Sequence, residues 1–214
     1  KVGLPGLLAR RLVPPSGPER ADVWIQGVSV GEVEIARTLA VALRDARPGL
    51  PLLVTSTTPA GVALLGKRFR DLDPPPRLQP FPLDLAPSIG RLLASARPRL
   101  LVLVETEIWP VLLTAARRRK LPVLVASARL SERSAKRLRA AAPLFRGPLS
   151  AITAVAARTE EDAARFAAAG VPARAFVGGA VVAFDRGADD PPSPPPHPET
   201  RREATRATLE GRRS

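Results

Sequence analysis

The chain has 214 residues, of which 45% are hydrophobic and 25% charged, enough apolar material for one sizeable globular domain or two small ones. Cysteine is absent and His197 is the single histidine, which excludes disulfides, a thiol nucleophile and multi-histidine metal sites, and we expect no metal. A net charge of +13 fits a phosphate or an anionic bilayer as partner, and it fits equally a compositional bias toward arginine with solvated side chains that bind nothing. The 4% of aromatic residues, with no Tyr, argues against base stacking on nucleic acid.

Apolar segments alternate with amphipathic segments along the chain, which predicts βαβ units in a parallel sheet. The predicted strands are Val23–Val28, Leu50–Val54, Arg77–Phe81, Leu100–Val104, Pro122–Ala126, Ala151–Val155 and Ala173–Val177. The predicted helices are Glu32–Ala46, Pro59–Arg70, Ala86–Ala96, Trp109–Lys120, Ser131–Phe145 and Glu160–Ala168. These elements predict one α/β domain with a doubly wound, mainly parallel, Rossmann-like sheet.

Composition also suggests where the domain begins and ends. We expect an N-terminal lead over residues 1–21, the Rossmann-like domain over 22–185, a Pro-rich linker over 186–198 and the start of a helix over 199–214. Because the chain starts at Lys1 rather than Met and stops within that helical stretch, we expect an excerpt or a truncated product. No signal peptide is visible, and no run approaches the ~20 apolar residues of a membrane-spanning helix.

The segment Ser29–Glu32 joins the first predicted strand to the first predicted helix. Ser29 and Glu32 have the spacing of a capping box, in which the hydroxyl accepts from the Glu32 amide and the carboxylate accepts from the Ser29 amide. Alternatively, Glu32 points across the sheet edge into a cleft, where burial or nearby charge tunes it as a general base. The four residues alone fit both interpretations.

The same turn has the G-x-S-x-G spacing of a nucleophile elbow, with Ser29 as the nucleophile. Asp84 and His197 follow in the order of a serine hydrolase. However, no glycine-rich oxyanion loop precedes the turn, and the histidine lies in a proline-rich segment. A hydrolase that uses Ser29 is therefore the third hypothesis for the function.

Two more carboxylates, Glu105 and Glu107, directly follow the apolar strand predicted at Leu100–Val104. Because the carboxyl ends of parallel strands meet at one edge, we expect them to face the same crevice as Glu32. One of them can instead cap the helix that follows. The alternation of side chains lets both share one face, with one structural and the other functional.

The turn Thr55–Gly61 offers hydroxyls and amides at a helix start, which is a favourable place for an anion. Thr58 before Pro59 also fits an ordinary N-cap. Arg129, after the fifth strand, reaches the same edge, where its guanidinium could hold a phosphate through two hydrogen bonds. Neither a G-x-G-x-x-G motif nor a P-loop occurs, so nicotinamide or ATP binding of those types is not supported.

Basic residues cluster on two of the predicted helices. Residues 117–120 end one helix, where positive charge complements the helix dipole. Arg133, Lys136 and Arg137 form a stripe on the next helix. These residues fit either a solvated face or a contact with an anionic bilayer or another polyanion.

Six motifs, taken in order, resemble the N-terminal half of bacterial 3-deoxy-D-manno-octulosonic acid (Kdo) transferases. They are residues 27–32, 55–61, 82–85, 104–110, 127–134 and 159–163, and the similarity runs from Trp24 to Asp185. The chain departs from the family at Gln26-Gly27, where histidine is common. It also departs at Ala180–Asp185, which lacks the usual Asn and Lys.

The resemblance implies a two-domain glycosyltransferase of the B type, which transfers Kdo from CMP-Kdo to a lipid A precursor without a metal or another cofactor. It implies a peripheral location at the cytoplasmic face of the inner membrane. Glu32 matches the proposed general base of the family, and Glu105 matches a glutamate that lines the site. The remaining candidates, for acceptor or phosphate binding, are Ser29, Gly31, Thr57, Thr58 and Arg129.

The family binds its CMP-sugar mainly through a C-terminal domain, so we expect this chain to be the acceptor-side half, with the donor site on an absent second domain. The alternative is a non-catalytic, basic, Rossmann-like module that binds a lipid A precursor or another polyanion.

Overall fold

Six strands form one parallel sheet in the computed structural model, which describes residues 4–14 and 20–172. The strands of this part of the chain are β1 (Val23–Gly27), β2 (Leu52–Ser56), β3 (Arg77–Pro80), β4 (Leu100–Val104), β5 (Val123–Ala128) and β6 (Ile152–Ala157). Their spatial order is β3-β2-β1-β4-β5-β6, and every neighbouring pair is parallel. The predicted strand Ala173–Val177, the segment Ala180–Asp185, the linker with His197 and the helical stretch 199–214 lie outside the described residues.

Eight helices accompany these strands within the described ranges. They are α1 (Leu4–Leu12), α2 (Val30–Ala46), α3 (Pro59–Arg68), α4 (Ala86–Ala96), α5 (Pro110–Arg118), α6 (Glu132–Ala140), α7 (Ala142–Leu149) and α8 (Glu160–Ala168). Helix α1 lies in the segment predicted only as a lead. The prediction of one helix over Ser131–Phe145 is wrong, because α7 begins anew with a proline in its first turn, Pro143, which has no N–H to continue the ladder of α6.

The strand order reverses between β1 and β4, so the sheet is doubly wound. Helix α2 packs against α3, and α5 packs against both α4 and α7. Right-handed crossovers place these two groups on opposite faces of the sheet. The fold class predicted from the sequence is confirmed, and the domain limits stay a prediction.

The largest core side chains come from both the sheet and the turns that follow it. Trp24 on β1 and Phe81 after β3 are fully buried, with ring centroids 6.1 Å apart. Leu53, Leu101 and Leu103 fill the adjacent strands of the same cluster. This apolar floor lies directly below the carboxyl edge of the sheet and holds its turns in place.

Local signals mark three helix ends, and the cap predicted at Thr58 is confirmed. Thr58 caps α3 by accepting a 3.1 Å bond from the Gly61 amide, with Pro59 in the first turn. Thr159 caps α8 by accepting a 3.0 Å bond from the Asp162 amide. Gly170, after α8, has φ +97°, a conformation that glycine adopts without strain.

Candidate active site

Three glutamates meet where the strand order reverses, at the carboxyl ends of β1 and β4. Glu32 lies in the first turn of α2, which follows β1. Glu105 and Glu107 lie in the turn between β4 and α5. The negative charge of Glu105 raises the pKa of Glu32, and the charges of both raise the pKa of Glu107, so the three carboxyl groups lie close together. The predicted convergence of these acids at one edge is confirmed.

The Glu32 carboxylate is held by the turn that precedes it. The Val28 amide donates a 2.5 Å hydrogen bond to Oε2, and the Ser29 hydroxyl donates a 3.0 Å bond to Oε1. A Cβ on Gly27 would come within 3.0 Å of the Glu32 Cβ, so the missing side chain of Gly27 lets α2 approach β1 closely. The turn therefore fixes the orientation of this carboxylate.

The predicted capping box does not form in the expected way. Ser29 is the N-cap residue of α2, but its side chain makes no capping bond to the helix. Its hydroxyl donates to the Glu32 carboxylate. The prediction that the Ser29 hydroxyl accepts from the Glu32 amide is wrong, because the hydroxyl contacts the side chain of Glu32 and not its amide.

Burial raises the pKa of Glu32 above its ordinary value, and the negative charge of Glu105 acts in the same direction. The hydrogen bonds from Val28 and Ser29 lower the pKa, but they do not offset burial. A carboxylate that served only as a helix cap would be stabilised in its charged form. The environment of Glu32 instead makes it a better proton acceptor than an exposed glutamate.

Glu107 is the most strongly perturbed carboxyl group in the cluster. Burial raises its pKa to about 7, with a further contribution from the negative charge of Glu32 and a smaller one from that of Glu105. The Trp109 indole N–H donates a 2.5 Å bond to Oε2, which acts in the opposite direction. The Trp109 ring packs on Phe81 with centroids 4.7 Å apart, so the core fixes the donor that holds Glu107.

Glu105 occupies an uncommon backbone conformation for a residue with a side chain, with φ +64°. Such a conformation costs about 1–3 kcal/mol and concentrates at functional sites. Its amide donates a 2.9 Å bond to the Ala126 carbonyl, which ties the turn to β5. Arg158 Nη1 lies 4.0 Å from Oε1 of Glu105.

Sequence reasoning missed Arg158 and left the choice between Glu105 and Glu107 open. Arg158 directly follows β6, so its place at the end of a parallel strand was the available signal. Nothing in the local sequence shows that it reaches across β5 to Glu105. That contact depends on the relative position of three strands.

The β2–α3 turn is tied to the turn that carries Glu32. The amides of Thr57 and Thr58 both donate to the Val28 carbonyl, at 3.3 and 3.0 Å. A Cβ on Gly61 would lie 2.2 Å from the Ser56 Oγ, so only glycine lets α3 start this close to β2. Thr58 is a helix cap, whereas the Thr57 side chain takes no part in capping.

Gly31 and Arg129 lie at the same edge of the sheet, and only Gly31 belongs to the helix turn that carries Glu32. Gly31 is exposed in the first turn of α2, and a Cβ added there would meet no atom within 4 Å. Arg129 is exposed after β5 and makes no hydrogen bond or ion pair within the described part of the chain. The structure therefore brings Ser29 and Gly31 to Glu32, and leaves Arg129 separate from it.

Asp84 caps the N-terminus of α5. Its Oδ2 accepts a 3.0 Å bond from the Val111 amide and its Oδ1 a 2.8 Å bond from the Leu112 amide, so it caps α5 from a distant loop. The Ser29 hydroxyl donates to Glu32. Neither side chain is arranged for the hydrolase hypothesis, and His197 lies outside the described residues.

Two features of the described residues bear on binding. Over residues 4–14 and 20–172, no group of three or more His, Cys, Asp or Glu side chains could hold a metal ion. In the same part of the chain, no helix combines the length and apolar character needed to cross a membrane.

Comparisons with known proteins agree with the sequence motifs. Residues 6–181 match the profile of the family described as 3-deoxy-D-manno-octulosonic-acid transferase (kdotransferase). A 3-deoxy-D-manno-octulosonic acid transferase of Bordetella pertussis is 37% identical over 163 residues, covering 75% of this chain and 38% of that protein. The transferase of Haemophilus influenzae is 34% identical over 157 residues, covering 73% of this chain and 36% of that protein.

A solved structure shows the same fold. The UDP-GlcNAc 2-epimerase from Neisseria meningitidis bound to UDP-GlcNAc superposes with a TM-score of 0.52 and 12% identity, over 72% of this chain and 44% of that chain. At this identity the likeness concerns the fold alone.

Proposed function

The chain belongs to the 3-deoxy-D-manno-octulosonic acid (Kdo) transferase family, and from this premise we propose that it is the acceptor-side half of a glycosyltransferase that transfers Kdo from CMP-Kdo to a lipid A precursor. The chain spans 38% and 36% of the two curated relatives described above. The proposal therefore assigns the donor site to a second domain of the B-type glycosyltransferase fold.

The observation that carries the proposal is the position of Glu32 where the strand order reverses, together with its raised pKa. In open α/β sheets, ligands bind outside the carboxyl ends of the strands where the strand order reverses. Glu32 lies there with its pKa raised by burial and by the charge of Glu105. A carboxylate with a raised pKa is a stronger base, which suits removal of a proton from an acceptor hydroxyl.

The proposed reaction uses Glu32 as the general base of an inverting displacement. Glu32 takes the proton of the acceptor hydroxyl, and the hydroxyl oxygen forms a bond to the anomeric carbon of Kdo. The bond from that carbon to the phosphate oxygen of CMP breaks on the opposite face, and CMP leaves with the electron pair. No metal or other cofactor enters the scheme, so we expect transfer to be insensitive to chelators.

The environment of Glu107 supports this assignment, because Glu107 and Glu32 are neighbouring acids with different surroundings. Glu107, with a pKa of about 7, carries a proton in a large fraction of molecules near neutral pH. Burial also raises the pKa of Glu32, but hydrogen bonds from Val28 and Ser29 act in the opposite direction. Pairs of acids whose environments push their pKa values apart are typical of acid–base sites.

Attachment to the cytoplasmic face of the inner membrane is part of the proposal. Helix α1 and the residue after it expose Leu8, Leu12 and Val13, and α1 carries Arg10 and Arg11 in its last turn. Apolar residues beside arginines are suited to the surface of an anionic bilayer. A phosphorylated, acylated acceptor combines negative charge with apolar chains, as such a bilayer does.

The test is Kdo transfer by the full-length protein with Glu32→Gln, measured with CMP-Kdo and a lipid A precursor. We expect the rate to fall about 10²–10⁴-fold, the usual contribution of a general base, without loss of thermal stability. Glu34→Gln is the matched control, because Glu34 lies on the same helix and pairs with Arg68 at 2.7 Å on the surface.

Full transfer by Glu32→Gln would overturn the general-base assignment. A variant that mainly loses thermal stability would favour the capping role. Binding of the lipid A precursor by the wild-type protein with no transfer at all would favour the non-catalytic module.

A further inference from the structure

Four side chains form a continuous hydrogen-bonded chain beneath the carboxyl edge of the sheet. The Trp24 indole N–H donates to Thr55 Oγ1 at 2.8 Å, and the Thr55 hydroxyl donates to Gln26 Oε1 at 2.5 Å. Gln26 Nε2 then donates to Thr57 Oγ1 at 3.0 Å. Trp24, Gln26 and Thr55 are fully buried, and Thr57 is half-buried at the end of the chain.

The direction of these bonds follows from the chemistry of the first member. An indole N–H can only donate, so Thr55 Oγ1 accepts from Trp24 and directs its own proton to Gln26. Because the Gln26 oxygen is thereby engaged, its amide nitrogen faces Thr57 and donates to it. The Thr57 oxygen accepts this bond, and its hydroxyl proton has no acceptor among the described residues.

Thr57 borders a cavity of about 480 Å³ between α1 and the start of α3. The walls are apolar except for Thr57 and Arg11, and are formed by Pro5, Leu7, Leu8, Arg11, Thr57 and Pro59. The Arg11 Nε donates to the Phe81 carbonyl at 2.9 Å, which fixes the guanidinium, and its other N–H groups have no partner in the described ranges. Among the described residues that line the cavity there is no carboxylate.

We propose that Gln26 is a positioning residue that turns the Thr57 hydroxyl into a dedicated donor, and that Thr57 and Arg11 together bind the phosphate of a ligand that also carries an apolar substituent. The polar side chains of the described lining, Thr57 and Arg11, offer donors to a ligand, which suits an oxyanion. Its remaining walls suit an alkyl chain. The inference deepens the proposed function and rests on it, since a phosphorylated, acylated acceptor has both parts.

The first experiment measures binding of hexyl phosphate to the 214-residue chain by NMR titration, with inorganic phosphate as a second probe. We expect Thr57→Val to weaken hexyl phosphate binding about tenfold or more, because a hydrogen bond to a charged group is lost. Thr57→Ser keeps the hydroxyl and should bind as the wild type does. Thr38→Val is the control, because Thr38 donates to Glu34 O on the exposed face of α2.

The second experiment separates positioning from a general structural role. In Gln26→Glu, a carboxylate accepts from both threonines, so the Thr57 proton turns inward and the donor is lost. We expect Gln26→Glu to weaken binding about as much as Thr57→Val, and the double variant to be no weaker than either single one. In the full-length protein, both variants should raise the acceptor KM and leave kcat unchanged.

If Gln26→Glu does not fold, Thr55→Val replaces it, because without the Thr55 hydroxyl nothing holds the Gln26 oxygen inward. Additive losses in the double variant would overturn the positioning role. Unchanged binding in Thr57→Val, or equal binding of hexyl phosphate and inorganic phosphate, would overturn the site. Since the titration needs neither donor nor transfer, a failure of Kdo transfer is distinguishable from a failure of this inference.

Discussion

The β1–β4 edge and the β5–β6 edge begin from the same sequence pattern and reach different results. Each places a hydroxyl residue at the start of a helix and an acid three residues later, Ser29 with Glu32 and Thr159 with Asp162. Thr159 caps its helix by accepting from the Asp162 amide at 3.0 Å. Both hydroxyls also donate to the acid, Thr159 to Asp162 Oδ2 at 3.1 Å and Ser29 to Glu32 Oε1 at 3.0 Å. Only Ser29 makes no capping bond.

The neighbours of the two acids account for the difference. Asp162 accepts from the Leu130 amide at 2.9 Å and lies 3.5 Å from Arg165, so its negative charge is well compensated. Glu32 is surrounded by other acids, and the pKa values of Glu32 and Glu107 are raised. The same local motif therefore caps a helix at one edge and holds a carboxylate with a raised pKa at the other.

The largest expected difference between the two edges is in how the free energy of unfolding depends on pH, and Glu107 is the expected source. Its pKa is about 7 in the folded protein and near the ordinary 4.5 when unfolded. Between these values the folded state binds more protons than the unfolded state, so stability falls as pH rises, by up to about 3 kcal/mol. Urea unfolding of the wild type and of Glu107→Gln at pH 4.5 and 7.5 measures this change.

Glu107→Gln should remove most of that dependence, because an amide does not titrate. An equal slope in the variant and the wild type would show that Glu107 is not the source.

A smaller loss of stability is expected at the other edge. Asp162→Ala leaves the buried Leu130 amide without its acceptor, so we expect about 1–3 kcal/mol of destabilisation at every pH. Kdo transfer at a temperature where the variant is folded should be unchanged. A fall in transfer without loss of stability would place Asp162 in the active site and abolish the contrast between the edges.

The smallest effect is expected at Gly31. Since a Cβ there meets no atom within 4 Å, Gly31→Ala should stabilise α2 by about 0.5–1 kcal/mol. If the acceptor approaches this turn closely, the same variant raises the acceptor KM. Thermal unfolding and transfer kinetics measure the two effects, and an unchanged KM would remove Gly31 from the binding site.

The sequence predicts the sheet and the convergence of Glu32 with Glu105 because alternating segments imply parallel strands, whose carboxyl ends share one edge. It also predicts the cap at Thr58, since that signal is local. It does not predict that Arg158 reaches Glu105 or that Trp109 holds Glu107, because both contacts depend on tertiary packing. The break at Pro143 was visible as a proline, but the helical periodicity on both sides concealed it.

The most direct test of the central claim, that Glu32 is positioned as a base rather than as a helix cap, is a ¹³C NMR titration of the glutamate carboxyl carbons. We predict that Glu32 titrates above its ordinary value of 4.5 and that Glu107 titrates at about 7. In Glu32→Gln, the midpoint of Glu107 should fall because a neighbouring negative charge is removed. Midpoints at or below 4.5 for both residues would contradict the account and assign Glu32 to helix capping.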